Sequence, residues 1–401
     1  MYLPLANVLH HKLRSVLSAF GIGIGVCMLI ALSGLARGSL YEVARRWEAV
    51  DADLLVFPRG WGHNAVTKSG VGLSDRYVQK ILQDHADIVQ RIVPVFTWSM
   101  QLGGQEQMAA GVDADQWTTL AGGRELLKGR LFDPQGKFAQ WLQQRLQSHA
   151  GEDEAVEIEP SELAARGGLE LVIDSKLARA ARLGVGDTVM AVNHKWTIVG
   201  VAPEGVMTRV FMPRRTAQYL FGSGSIQTST MLFVKLKPGV SLGPAARAIE
   251  GSTKQDVIPV QAYRGLLIER FGVMFKYVDM VNGFTLVIAF LFIMTTLYTM
   301  VLQRTREIAI LKSCGASNAF IVRQVLAESA ILTGAGTAVG VGLAYLTAWL
   351  VPTISPLLTV EITWQWIAIA ALAALAGAML SGLYPAWRAT RVDMVEALTL
   401  E

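Results

Sequence analysis

Charge is scarce in this sequence. Asp, Glu, Lys and Arg supply 17% of its 401 residues, where an ordinary soluble domain carries about 25%. Hydrophobic residues supply 52%, so the deficit points to membrane segments. The charge that remains is nearly balanced, with a formal net of +4. Lys and Arg form no stripe interleaved with aromatics, which excludes a nucleic-acid partner. Anchoring beside anionic lipid is the use left for the basic residues. Cysteine is almost missing. Cys27 sits in an apolar run and Cys314 in a basic segment far along the chain. They make neither a disulfide framework nor a metal cluster, and both read as small packing residues.

Catalytic signatures are missing too. No G-x-x-x-x-G-K-[ST] occurs, so no P-loop is encoded. No H-E-x-x-H and no paired C-x-x-C occurs, so metal sites of those kinds are absent. The six histidines, His10, His11, His63, His85, His149 and His194, read as surface or structural groups. We therefore expect no catalytic, cofactor-binding or metal-binding residue here, and no enzyme.

What is present is long apolar runs. Residues 16–36, 281–302, 330–351 and 364–384 contain no charge. Each is about long enough to cross a hydrocarbon core of about 30 Å, which takes about 20 helical residues. The first is too long for a signal-peptide core and lacks an A-x-A exit, so it is expected to stay. Lys12 and Arg14 precede span one. Arg304, Arg306, Lys312 and Arg323 lie between spans two and three, and Arg388 and Arg391 follow span four. The 352–363 link has no Lys or Arg. By the positive-inside rule both termini and the 303–329 segment are cytoplasmic, and residues 37–280 are outside. Trp364 and Trp366 stand where an interfacial belt places them. The expected location is a bacterial cytoplasmic (inner) membrane.

Small residues recur inside the spans: Gly21, Gly23 and Gly25, then Gly334, Gly336, Gly340 and Gly342. No soluble strand precedes them, so a nucleotide-binding reading fails. They predict close helix packing, within the chain or against a second copy. Glu328 and Asp279 lie at span edges. The plain expectation is that they reach to the headgroup region, and the sharper one is a polar coupling role.

Between spans one and two the pattern is mixed. Residues 53–58, 91–102, 169–174 and 230–236 read as strands, and 187–203 as a hairpin with Asn193-His194 near its turn. Residues 74–85 read as a helix, with Ser74 as N-cap and Tyr77, Val78, Ile81 and Leu82 as one apolar face. A second helix from Ser175 is expected to end at Gly184. Residues 137–168 differ in character. Phe138, Trp141, Leu142 and Leu146 have helical spacing, and Glu152, Asp153, Glu154, Glu157 and Glu159 crowd together behind them. Such density favours a solvated loop, with a docking site as the alternative. The insertion is also a candidate boundary between two subdomains. The fold class expected is an integral membrane α-helical protein, with four transmembrane helices and a large α+β extracytoplasmic domain between helices 1 and 2.

Three segments lie on the expected cytoplasmic side. Residues 1–15 form an amphipathic lead, with Leu5, Val8, Leu9 and Leu13 against Lys12 and Arg14. Residues 303–329 continue past span two, and Gly315 breaks them. Residues 385–401 form the tail. Together they resemble the FtsX-like/MacB-type ABC transporter permease family. The resemblance rests on the basic lead into span one, on REIAILKSCGAS at 306–317 with Glu328-Ser329 before span three, and on the PA-x-RA…EAL tail. It extends to residues 169–220 of the outer domain. Asp393-Met394 departs from the family's frequent Asp-Pro, and the acidic insertion has no evident counterpart.

The resemblance implies a dimer, a homodimer in preference to a heterodimer, driven by a separate cytoplasmic ABC ATPase that binds ATP and Mg. Arg304, Arg306, Glu307, Ile308, Leu311, Lys312 and Gly315 are then the candidate ATPase-coupling residues. Ile310 also offers packing. The plain alternative is a span anchor, with Arg304 paired to Glu307. The implied mechanism is mechanotransmission: ATP-driven closure of the ATPase moves the outer domains, and substrate is expelled from outside the membrane. Efflux with a periplasmic membrane-fusion adaptor leads. Extraction of lipid or lipoprotein from the outer leaflet, and a signalling scaffold that activates a cell-wall hydrolase, stand as alternatives.

Overall fold

The computed structural model describes residues 12–60, 72–102, 104–148, 158–222, 227–303 and 305–390. The chain forms two compact units. Leu40–Phe271 is an inserted unit, and the segments on either side of it make a helical unit. The division falls inside the first helix, α1 (Lys12–Glu48). This helix outruns the 16–36 span at both ends, because Arg37, Glu42, Arg45 and Arg46 continue it in helical register. The remainder of the amphipathic lead, residues 1–11, lies outside the described residues.

After α1 the inserted unit runs β1 (Leu54–Phe57), β2 (Leu73–Ser74), α2 (Arg76–Asp84), β3 (Val89–Leu102), β4 (Gln105–Val112), α3 (Trp117–Leu120), β5 (Lys128–Gly129), α4 (Lys137–Gln147), α5 (Pro160–Ala165) and β6 (Glu170–Asp174). Next come α6 (Ser175–Ala181), β7 (Thr188–Ala191), β8 (His194–Ala202), β9 (Val210–Pro213), α7 (Arg214–Phe221), β10 (Thr228–Ser229), β11 (Met231–Leu236), α8 (Leu242–Thr253), β12 (Asp256–Pro259) and α9 (Tyr263–Arg270). The strand order is β12-β1-β11-β3-β4-β9-β6-β8-β5, with β7 also on β8. The pairs β4/β9 and β6/β8 are parallel and the other pairs antiparallel. The unit is thus mixed α/β.

One strand joins the two halves of this sheet. β3 pairs with β11 from Val89 to Val95, and with β4 from Phe96 to Leu102. In the first half, β1 lies between β11 and β12, and all four of its residues are buried. Leu54, Val56, Ile92, Leu232 and Val234 form the core of this half with Ile81 and Ile249 from the covering helices α2 and α8. In the second half, Leu171, Val172, Ile173, Ile198 and Phe211 are fully buried. The described parts of 137–168 lie wholly within this second half, and residues 149–157, which carry most of the acidic run, lie outside the described residues.

The 188–202 hairpin turns on Val192 and Asn193, both with positive φ, the geometry of a two-residue primed turn. Two helix ends differ from expectation. Ser74 belongs to β2, and Asp75 takes the cap position of α2 without capping it, because its carboxylate is held by Arg214 and Ser229. α6 ends before Gly184: Arg182 takes the left-handed conformation, and Leu183 N–H bonds back to Ala178. Leu82, expected on the apolar face of α2, is exposed.

The helical unit contains part of α1, then α10 (Gly272–Gln303), α11 (Thr305–Ser313), α12 (Asn318–Ile354) and α13 (Trp364–Thr390). Four helices, α1, α10, α12 and α13, are long and apolar enough to cross a membrane. Their shared core is Ile22, Val26, Ile30, Ile293, Leu297, Leu332, Ala370 and Ala374. The run after Gly315 leads into span three as the opening of α12, which starts about three turns before the apolar stretch.

Candidate functional site

Helix α11 is short because its C-terminal end is built to stop. Gly315, at φ +89°, closes it: Gly315 N–H bonds to Lys312 O at 2.9 Å and Ala316 N–H to Leu311 O at 3.0 Å. Ser317 Oγ then caps α12 by accepting from Phe320 N–H at 3.2 Å. The two helices therefore meet across a tight connection.

One side of α11 is fixed. Ile308 is buried with Val301 of α10, Ile321 and Val325 of α12 and Ala386 of α13. Lys312 Nζ donates to the Thr390 carbonyl oxygen at 2.8 Å, which satisfies an end carbonyl of α13. Leu311 is half-buried, and with Glu307, Gln324 and Glu328 it lines a small pocket. The other side is open: Arg306, Glu307 and Ile310 are exposed.

Among the candidate residues, Ile308 fills the joint between α10, α12 and α13, and Ile310 is exposed. Lys312 is an internal tie. Arg304 lies outside the described residues.

Glu328 is 4% exposed, so its side chain is buried within the helical unit, on a helix that starts at Asn318. Beside it, Ser329 Oγ donates to Ala378 O of α13 at 3.1 Å. Asp279 does stay at a surface. Its carboxylate lies 4.0 Å from Arg37, whose guanidinium also stacks over the rings of Trp366 at 4.6 Å and Phe275 at 5.0 Å. Arg37 thereby ties α1, α10 and α13 together. Its sequence signal was only a basic residue after an apolar run.

The glycines divide. A Cβ on Gly340 would stand 2.6 Å from Gly23 O, and one on Gly336 would stand 2.7 Å from Ile22 Cβ, so α1 and α12 touch backbone to backbone. Gly21 packs under the Phe292 ring and Gly25 against Ala289, both on α10. Gly334 and Gly342 meet nothing within 4 Å, so their small size serves no packing among the described residues.

Within the inserted unit, a charge network that sequence reasoning missed holds the end of α1. Glu42 receives Arg46 at 2.8 Å, Lys176 at 2.9 Å and Arg209 at 2.9 Å. Arg46 also lies 2.9 Å from the fully buried carboxylate of Asp174, and donates to the carbonyls of Val206 and Thr208. The second oxygen of Asp174 caps α6 at Leu177 N–H, 2.7 Å away. Next along the chain, Trp47 stacks on Tyr263 at 4.2 Å, and burial pushes the Tyr263 hydroxyl pKa far up. Asp174-Ser175 ahead of a helical run was the only readable signal, as an N-cap.

Two family models match the chain in succession. Residues 15–252 match the family described as the MacB-like periplasmic core domain, and residues 280–394 match the FtsX-like permease C-terminal family. Among curated proteins, an uncharacterized ABC transporter permease, YknZ of Bacillus subtilis (strain 168), is 34% identical over 130 residues, 32% of each chain. The macrolide export ATP-binding/permease protein MacB of Shewanella sp. (strain ANA-3) is 23% identical over 412 residues, covering 98% of this chain and 59% of that protein. This chain thus spans 59% of the length of that relative. A crystal structure of the periplasmic region of MacB from Actinobacillus actinomycetemcomitans aligns over 54% of this chain and 94% of that one, at 12% identity and a TM-score of 0.35.

Proposed function

The chain belongs to the family of MacB-like, FtsX-like ABC transporter permeases, and from that premise we propose that it is a permease subunit driven through α11 by an ATPase in a separate chain. The observation that carries the proposal is the two-sidedness of α11. Arg306, Glu307 and Ile310 face outward, while Ile308 and Lys312 fix the same helix to α10, α12 and α13. A load applied to the exposed side reaches three spans without a flexible intermediate.

The positive-inside pattern supports a cytoplasmic setting for that side, where the ATPase binds ATP and Mg. The sequence contains no P-loop of its own. A second copy of the permease completes the working unit, and the inserted unit works on the periplasmic face. Substrate is expelled there by mechanotransmission, with an adaptor receiving it in an efflux system. The four spans support this reading because they offer no charged path through the bilayer in residues 16–36, 281–302, 330–351 or 364–384.

The test is purification from native membranes in mild detergent, followed by identification of co-purifying chains and an ATPase assay. The proposal expects a P-loop ATPase whose association is lost in a variant combining Arg306→Glu and Ile310→Asp. If no ATPase is recovered even after crosslinking, a stand-alone membrane scaffold becomes the better account.

A further inference from the structure

A cleft of about 470 Å³ opens in the inserted unit between the end of β4, helix α4 and the start of α7. That size is in the range of small-molecule sites. Gln140 and Gln143 line it from α4, Asp113 and Asp115 from the segment after β4, and Arg214 and Arg215 from α7. Such walls suit a polar solute.

Most of the charge around it is already committed. Arg214 lies 2.5 Å from Asp75 and 2.7 Å from Asp113. Burial pushes the Asp113 carboxyl up, and Arg214 opposes that shift. Asp133, at the cleft's edge, accepts the N–H groups of Phe138 at 3.0 Å and Ala139 at 2.9 Å, which start α4.

Two opposite charges remain. Arg215 donates to the amide oxygens of Gln218 and Gln143, each at 3.0 Å. Among the described residues no carboxylate forms an ion pair with it. Burial first, and then neighbouring Arg214, hold its pKa below the usual guanidinium value, and Asp75 and Asp113 only partly oppose them. A half-buried cation next to another cation is a costly arrangement that an incoming anion relieves. Asp115 is exposed at the mouth, where it accepts from the side chain of Gln116 at 3.0 Å.

We propose that this cleft binds a compact zwitterion of the free amino-acid class, with its carboxylate on Arg215, its ammonium group toward Asp115, and its side chain among the glutamines. A simple anion meets Asp115 and the edge of Asp113. A simple cation meets Arg215. An apolar amphiphile supplies no counter-charge to Arg215 or to Asp115. The proposal uses no residue of α11, so its test is read independently of the ATPase.

The test uses the full chain in lipid nanodiscs and isothermal titration with three probes: L-glutamine, N-acetyl-L-glutamine and L-glutamine amide. L-glutamine is expected to bind saturably, and removal of either charge from the probe should weaken it about tenfold or more. Arg215→Gln should weaken L-glutamine about tenfold or more, and Arg215→Lys should restore part of the loss. Unchanged melting curves for both variants would show that the fold persists. No saturable binding of L-glutamine up to about 10 mM, equal binding of the acetylated probe, or affinity untouched by Arg215→Gln each overturns the proposal.

Discussion

Ile308 and Ile310 lie two positions apart on α11 and face opposite ways: Ile308 is 8% exposed and Ile310 is 47% exposed. Two steps of an α-helix turn about 200°, so one residue builds the joint and the other is free to meet a partner. Ile308→Ala should lower the stability of the helical unit by about 2–4 kcal/mol through the cavity left beside Val301 and Ala386. Ile310→Asp should leave the melting transition in place and abolish activation of the ATPase. Thermal unfolding and ATPase rates on the same two variants check the assignment, and exchanged phenotypes would reverse it.

The glycines make a second contrast. Gly340→Leu forces a side chain into the Gly23 carbonyl, where even a Cβ would be 2.6 Å away. It should part α1 from α12 and cost about 3 kcal/mol or more, the upper range of overpacking. Gly334→Leu meets no neighbour in the chain and should be neutral for the isolated subunit. If the parent elutes as the proposed dimer on size-exclusion chromatography and Gly334→Leu elutes as a monomer, that face contacts the second copy.

The sequence made the spans legible because apolar runs without charge have few alternatives. It made β1, β3, β6 and β11 legible because their hydrophobic runs pack inside a sheet. It did not reveal the strand order, since β1 finds β11 and β12 across most of the inserted unit. The start of α2 was misread because Ser74, expected as its N-cap, belongs to β2, and Asp75 at the cap position pairs with Arg214 instead of capping, a contact set by tertiary structure. The 303–329 segment was legible as a helical run broken at Gly315, but its inner and outer faces were not, because Ile308 and Ile310 are the same residue type and only packing separates them.

Proton binding offers a third test. Asp51 is held below its usual pKa chiefly by the hydrogen bond from Lys235, with burial opposing. A depressed carboxyl stabilises the fold above its unfolded pKa of about 4, and that contribution is lost as pH falls through the folded value. The stability difference between the protein and Asp51→Asn should therefore be full at about pH 6 and fade toward about pH 3. Asp51 is half exposed, so the difference should stay below about 1 kcal/mol. Melting temperatures of both proteins across that range decide it, and a difference that grows on acidification would reverse the sign.

The network around Glu42 makes the largest energetic claim. Two anions, Glu42 and Asp174, are shared among Arg46, Lys176 and Arg209, and Asp174 has no access to water. Arg46→Met keeps most of the side-chain volume but strands the Asp174 carboxylate in a dry site. Breaking a buried pair from one side costs about 3–5 kcal/mol. Glu42→Gln keeps the shape and removes one charge from among three cations. It should cost less, because glutamine still accepts hydrogen bonds through its amide oxygen. Guanidinium unfolding of the full chain in detergent, followed by the summed fluorescence of its ten tryptophans, reads the loss. Arg46→Met should lower the midpoint markedly, and Glu42→Gln should fall between it and the parent. An unchanged midpoint for Arg46→Met would mean that Trp47 and its stack on Tyr263 hold the end of α1 without help from the charges.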